Sequence, residues 1–327
     1  MAITRIGVLR GGPSAEYDVS LQSGAAVLSA LRERLADKYV PVDIFIDTSG
    51  VWHIDGAPVR PHEAFGRVDA VFNALHGAYG EDGGVQRILE AHGVPFTGSS
   101  ALASAVSMNK SLAKGVAARR GIKTPYWKEL SSKEILDDPE AAAAGLFRTF
   151  LMPAVVKPAG AGSSIGVSVV KDHSRLRPAL EAAAAHGDAV VIEEFIPGIE
   201  ATCGVVEGFR GQPLYALPPI EIRPKAGFFD YEAKYAGKSE EIVPASFSEG
   251  LKREIERLAA AAHEALGLRH YSRSDFIIHP RRGVYFLETN ALPGLTGESL
   301  VPKALRAVGS GTHELVDHLV RLALDGR

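Results

Sequence analysis

RSDFIIHPRRGVYFLETN, residues 273–290, sets two apolar runs on either side of a His-Pro-Arg-Arg-Gly turn and reads as a β-hairpin. With the turn centred between Arg281 and Arg282, Asp275 lies opposite Glu288 and Arg273 opposite Asn290. Strand side chains alternate faces, so these four project from one side. The same register expects Phe276 opposite Leu287 and Ile278 opposite Tyr285 on the other side. Two carboxylates and an amide oxygen, without His or Cys, make a donor set for a hard cation. Mg²⁺ uses such sets and completes its shell with water and substrate phosphates. The plainer alternative is a solvated sheet face carrying an ordinary Arg–carboxylate pair.

Working outward, AVVKPAGAGSSIGVSVV (154–170) places Lys157 at a strand end and Gly160, Gly162 and Gly166 around Ser163 and Ser164. Glycines let backbone N–H groups close on an anion, and hydroxyls add donors. No GxxxxGK[ST] loop occurs, and the spacing GxGxxxG before a strand is not a dinucleotide fingerprint. A glycine loop between strands is otherwise simply a turn. Lys110 is a second cation able to balance phosphate charge, and the strand bearing Glu193 and Glu194 follows. Glu200, past the Pro-Gly turn, could accept ribose hydroxyls.

The N-terminal third alternates strands (ITRIGVLRGG, YVPVDIFI, DAVFNAL) with helical patterns, one of them capped by Ser20. That is a small parallel sheet covered by helices, with GGPSAE and HGAYGEDGG at strand ends where ligands gather. From about residue 105 the texture becomes α+β. A helix near SMNKSLAKGVAARRG leads to a helical stretch SSKEILDDPEAAAAG with a Ser131–Glu134 capping box. Strands, a polar loop over 223–243, a helix from Ser248, the hairpin and a last helix near Thr312 follow. The expected units are therefore 1–105 (N-terminal α/β), 106–196 (central, with the phosphate loop) and 197–327 (C-terminal, with the metal hairpin and a lid at 223–243).

The chain has 327 residues, and 36 basic against 39 acidic side chains leave a net charge of −3. That gives no polyelectrolyte pull toward nucleic acid or anionic lipid. No apolar run is long enough to span a bilayer, and the first residues read as strand and turn, not as a leader. Cys203, the only cysteine, excludes an internal disulfide and reads as a small buried hydrophobe. A cytoplasmic location is expected.

Taken together, GGPSAEYDVSLQSG (11–24), ALHGAYGEDG (74–83), the 155–168 loop, DYEAKY (230–235), RSDF, LETNALPGLT (287–296) and SLVPKA (299–304) resemble the ATP-grasp superfamily, and within it the D-alanine–D-alanine ligases. The resemblance implies an ATP-grasp fold in which two α+β subdomains clasp ATP beside an N-terminal α/β domain. It implies ATP-dependent joining of two D-alanines through an acyl phosphate, for peptidoglycan precursor synthesis, with two Mg²⁺ (or Mn²⁺) as cofactors. By position, Lys110, Lys157, Ser163 and Ser164 would meet the phosphates, Glu193 and Phe195 the adenine, and Glu200 the ribose. Asp275, Glu288 and Asn290 would ligate the metals. Glu16 would take the ammonium of the first D-alanine with His76 beside it, and Ser299 and Leu300 would hold the second. Arg273 and Gly294 would surround the reacting carbonyl, and Lys234 and Tyr235 would close over the site. A homodimer is the oligomeric state the resemblance implies. Asn109 replaces a usual Asp, Ser274 a usual apolar residue, and Ala291 a usual hydroxyl. The rival readings are a relative with another second substrate (D-lactate or another amino acid), a nucleotide-binding regulator without chemistry, and a dinucleotide oxidoreductase.

Overall fold

The computed structural model describes residues 3–160, 166–224 and 239–326. The expected roles of Ser163, Ser164, Lys234 and Tyr235, and most of the expected lid at 223–243, lie outside the described residues.

Three sheets organise the chain. The first has the order β4-β3-β2-β1-β5, with β1 Thr4–Gly11, β2 Tyr39–Ile46, β3 Trp52–Ile54, β4 Ala57–Val59 and β5 Ala70–Asn73. β1 pairs in parallel with both β2 and β5. Strands buried on both faces need continuous apolar runs, and β1 supplies them. Ile6 and Val8 pack with Val27, Leu28 and Leu31 on one side, while Leu9 joins Ile44, Ile46, Trp52 and Leu89 on the other. The sheet is not purely parallel as expected, because β3 and β4 add an antiparallel hairpin. Asp55 and Gly56 form its two-residue turn, both at positive φ, the conformation that Asp-Gly turns favour.

Helix Tyr17–Ser29 begins before Ser20, which is therefore not its cap. The Ser20 hydroxyl instead accepts from the Gly11 amide and donates to the Ala74 carbonyl, both at 2.8 Å. It thereby ties the helix to two strand ends.

The second sheet, β6-β9-β7-β8, is antiparallel. It comprises β6 Trp127–Ser131, β7 Ala154–Pro158, β8 Ser168–Val170 and β9 Ala189–Glu194. Ala154, Val156, Val190 and Ile192 bury against the helices on one face. Period 2 then sends Lys157 and Glu193 to the opposite face. The stretch 132–147 forms two helices, Ser132–Asp137 and Pro139–Phe147, because the proline forces the preceding residue out of helical geometry. The Asp138 carboxylate caps the second by accepting from the Ala141 amide at 3.0 Å. Ser131 stands at the first N-cap, but its side chain makes no capping bond.

The third sheet runs β13-β12-β10-β14-β15, with β11 on β10. Its strands are β10 Ile199–Glu207, β11 Leu214–Ala216, β12 Ile220–Pro224, β13 Ser239–Ile242, β14 Tyr271–His279 and β15 Gly283–Asn290. Helix Glu249–Ala265 covers one face through Ile255, Leu258, Ala259 and Ala262, and Cys203 is part of that core. β14 and β15 pair Arg273 with Asn290 and Asp275 with Glu288, as read from the sequence. Beyond Asp275, however, the register shifts, and Phe276 faces Phe286, Ile277 faces Tyr285 and Ile278 faces Val284. The expected Phe276–Leu287 and Ile278–Tyr285 pairs are thus corrected by a bulge. In a regular strand Phe286 and Glu288 would share a face. The extra residue lets Phe286 join Phe276 in the core, ring centroids 6.0 Å apart, while Glu288 faces the cleft.

The segment 101–119 breaks at Asn109, which leaves helical geometry and accepts from the Leu112 amide at 3.0 Å. Its amide caps as well as an Asp would. Helix Lys110–Arg119 then packs on β15 and β6, bridging the second and third sheets. Helix Thr312–Leu324 returns to the first core through Leu315, Leu319 and Val320, and the Tyr39 hydroxyl donates to Asp317 at 2.9 Å. Among the described residues, no helix is long and apolar enough to cross a membrane.

Candidate active site

A cleft of about 490 Å³ is lined by all three sheets and their loops. Glu16, His76, Lys110, Lys157, Glu193, Phe195, Glu200, Arg273, Asp275, Glu288, Asn290, Gly294, Ser299 and Leu300 all border it. These are the sequence-derived residues that the described structure brings together. Val155, Ile196 and Leu287 supply apolar wall between them.

The hairpin presents its oxygens on the cleft side. The Asp275 carboxylate accepts from the Arg273 guanidinium through Nε and Nη2, each at 3.1 Å, a two-point geometry that Lys could not reproduce. The Thr202 hydroxyl donates to Asp275 Oδ1 at 2.5 Å from the neighbouring strand β10. Burial alone would lower the Arg273 pKa, but Asp275 outweighs it and the guanidinium is raised above its usual value. Asn290 Oδ1 accepts from the Leu292 amide at 3.3 Å, which turns the chain out of the strand. Ser274 faces away from the cleft, fully buried, with its hydroxyl 2.8 Å from that of Thr289. Its polarity is therefore satisfied by a cross-strand partner.

Cations crowd the opposite wall. Lys110 Nζ lies 3.5 Å from Glu288 Oε2, and the Lys110 amide donates to the Ala159 carbonyl at 2.9 Å, at the mouth of the glycine loop. Lys157 Nζ is 2.9 Å and Lys114 Nζ 3.2 Å from the same oxygen, Glu193 Oε1. Burial pushes the Glu288 carboxyl up, but Lys110, Lys157, Lys114 and Arg273 overcome it and hold it down at about 2. Burial likewise opposes ionisation of Glu193, and the two lysines beside it prevail. Lysines set around the buried Glu193 and the half-buried Glu288 favour further negative charge, as phosphate would bring.

The far end is built by the first sheet. His76 is buried between Ser23 and Glu81, with Nε2 2.8 Å from Ser23 Oγ and Nδ1 3.5 Å from Glu81 Oε1. Ser23 Oγ also accepts from the Leu295 amide at 3.2 Å. One hydroxyl thus joins helix Tyr17–Ser29 to the loop that follows the hairpin. Glu16 occupies the N-cap position of that helix, but its carboxylate makes no capping bond. Burial, then the nearby Glu81, raises its pKa against the pull of His76, Arg273 and Lys110. Gly77 has φ +69°, and a Cβ there would sit 2.4 Å from Ser14 Oγ and 3.4 Å from Glu16 Oε1, so only glycine leaves this corner open. A Cβ on Gly294 would come within 2.7 Å of Ser299 Oγ, which also accepts from the Thr296 amide at 3.1 Å.

A divalent cation suits the donor set on the hairpin. Asp275, Glu288 and Asn290 offer only oxygens, and Glu288 is ionised far below neutrality. Among the described residues no group of three or more His, Cys, Asp or Glu could hold a metal alone. Water or phosphate oxygens would have to complete the shell, as Mg²⁺ prefers.

Sequence reasoning gives no role to four residues that line or brace the cleft. Lys114 lies four residues after Lys110, on the same helix face, a spacing that could have found it. Glu81 sits within the quoted HGAYGEDGG stretch without an obvious partner there. Thr202 reaches Asp275 only through the pairing of β10 with β14. Glu194, on the cleft rim, carries an ion pair with Arg282 at 2.5 Å, a contact between sheets that no local pattern announces.

Comparison with known proteins identifies relatives over nearly the whole chain. The family model for the D-ala D-ala ligase C-terminus matches residues 116–321, and that for the D-ala D-ala ligase N-terminus matches 57–99. The D-alanine–D-alanine ligase of Geobacter sulfurreducens is 44% identical over 97% of this chain and 93% of its own. That of Geotalea uraniireducens is 43% identical, covering 98% and 95%. Among solved structures, the VanG D-Ala:D-Ser ligase from Enterococcus faecalis superposes with a TM-score of 0.87 at 31% identity, over 98% of this chain and all of that one. The D-alanine–D-alanine ligase from Coxiella burnetii gives 0.84 at 27%, over 100% and 95%.

Proposed function

The chain belongs to the D-alanine–D-alanine ligase family of the ATP-grasp superfamily, and from that premise we propose that it joins two D-alanines, with ATP converted to ADP and phosphate, for peptidoglycan precursor synthesis. A carboxylate does not condense with an amine in water, because the acid is ionised and oxide is a poor leaving group. Phosphorylation solves both problems. A carboxylate oxygen of the first D-alanine attacks the terminal phosphorus and ADP departs. The amine of the second D-alanine then attacks the acyl phosphate, loses a proton, and expels phosphate as the peptide bond forms.

Each part of the cleft has a task in this scheme. Glu16 takes the ammonium of the first D-alanine, with His76 held beside it by Ser23 and Glu81. Lys110 and Lys157 neutralise the phosphates, Glu193 and Phe195 meet the adenine, and Glu200 the ribose. Ser299 and Leu300 receive the second D-alanine. Arg273 and a backbone N–H near Gly294 stabilise the oxyanion of the tetrahedral intermediate. Asp275, Glu288 and Asn290 would hold two Mg²⁺ (or Mn²⁺), which supply charge neutralisation on the transferring phosphoryl group. No side chain is assigned as a covalent nucleophile; catalysis is placement and electrostatics. Ser163, Ser164, Lys234 and Tyr235 keep the phosphate-loop and closing roles that the resemblance implies. The same reading includes a cytoplasmic enzyme and a homodimer, the latter checked by sedimentation.

The observation that carries the proposal is the convergence of the Lys110–Lys157–Glu193 cluster, the hairpin oxygens and the Glu16–His76 corner on one cleft. Phosphate release is measured with ATP and Mg²⁺ against D-alanine, L-alanine, D-serine and D-lactate, and products are weighed by mass spectrometry. A D-alanine-dependent dipeptide is expected. A mixed product formed in preference, with D-lactate or another amino acid in second place, would move the chain to a different specificity within the family.

A further inference from the structure

Helix Lys110–Arg119 turns two lysines inward one turn apart, and the phosphate-binding scheme uses only the first. Lys114 is completely buried, an unusual place for an ammonium, which is costly to desolvate unless it is paired. Its ion-pair partner is Glu193 Oε1 at 3.2 Å, and among the described residues its ammonium has no hydrogen-bond partner. Burial drives Lys114 down to about 8 even with that partner. Lys157 reaches the same oxygen at 2.9 Å, so the two ammoniums lie within about 6 Å of each other across a single carboxylate atom.

A Lys157–Glu193 pair by itself would be neutral and closed. With nothing else to hold, the carboxylate would engage Lys157 fully and cancel its charge toward the cleft. A second ammonium on the shared oxygen divides that hold and leaves a net positive charge beside the phosphate position. We infer that Lys114 is a positioning residue for ATP, sharing the Glu193 carboxylate so that the charge of Lys157 is not cancelled toward phosphate. The inference rests on the proposed contact of Lys157 with the nucleotide phosphates. It also gives a reason for a buried lysine that an apolar side chain of the same length could replace in volume.

Lys114→Met keeps the length and removes the charge. Its KM for ATP should rise about 10- to 100-fold, the worth of one charge-assisted hydrogen bond to phosphate, while the KM for D-alanine holds within about twofold. The same substitution is made in a Glu193→Gln background. If Lys114 acts through Glu193, adding it there shifts the KM for ATP by less than about threefold. An unchanged KM for ATP in K114M, or an equal fold-loss in both backgrounds, would overturn the role. Should K114M not fold, E193Q/K114M, which removes both buried charges, is compared with E193Q alone, where a large additional loss overturns it. Wild-type phosphate release is followed in parallel. Its failure to depend on D-alanine would remove the functional reading itself, whereas normal dependence with an unmoved K114M would remove only Lys114.

Discussion

Arg273→Ala separates positioning of charge in the transition state from binding of ATP. The guanidinium is mostly buried (19% exposed side chain) and held by two 3.1 Å contacts to Asp275, itself 27% exposed. Removing it leaves Asp275 with the Thr202 hydroxyl at 2.5 Å, so the carboxylate keeps one anchor. Loss of a partly solvated ion pair lowers stability by about 1 kcal/mol or less. Loss of one donor to a developing oxyanion costs about 3 kcal/mol, a hundred- to thousandfold in kcat. The two effects differ enough to be told apart. Turnover is measured by phosphate release at saturating ATP and D-alanine, KM for ATP in the same series, and folding by the thermal midpoint. Arg273→Lys should recover only part of the rate, since an ammonium keeps the charge but lacks the two-point fork. A kcat within tenfold of wild type, or a KM for ATP rising in step with the fall in kcat, would refute the oxyanion role.

Glu16→Gln should raise the KM for D-alanine at least tenfold while ATP binding is retained. Because burial and Glu81 raise the Glu16 pKa, wild-type kcat/KM for D-alanine should begin to fall on the acid side at a pH above the usual carboxylate range. Protonation there removes the negative charge that meets the ammonium, and the variant should lack that limb. Phe276→Ala empties a fully buried site in the core beneath the hairpin and should cost about 3–5 kcal/mol in urea unfolding; a loss under 1 kcal/mol would mean that this core is not packed as described. Cys203 is buried, and desolvation raises its thiol pKa. It should react with a disulfide reagent only after denaturation, and rapid labelling of native protein would contradict its place in the core.

The strands of the central unit were legible because alternation is a local signal. Val156 and Ile192 against Lys157 and Glu193 can be sorted by parity alone. The metal-face pairs of the hairpin were legible for the same reason. The register beyond Asp275 was not, since a bulge at Leu287 is decided by how Phe276 and Phe286 pack under helix Glu249–Ala265. Ser20 shows a similar limit. The sequence reads its hydroxyl as a cap, but the Gly11 amide and the Ala74 carbonyl, distant in sequence, engage it instead. Pro139 carried a readable break that the alanine-rich run around it obscured. The roles near Glu16, His76 and Gly294 came from motif resemblance, because the Ser23 bridge between helix Tyr17–Ser29 and Leu295 spans 272 residues.

The central claim is that a carboxylate oxygen of D-alanine passes to phosphate within this cleft. D-alanine labelled with ¹⁸O in both carboxylate oxygens is turned over with ATP and Mg²⁺, and the released phosphate is weighed. One ¹⁸O in each phosphate is the result the account requires, and phosphate free of label, alongside dipeptide, would contradict it.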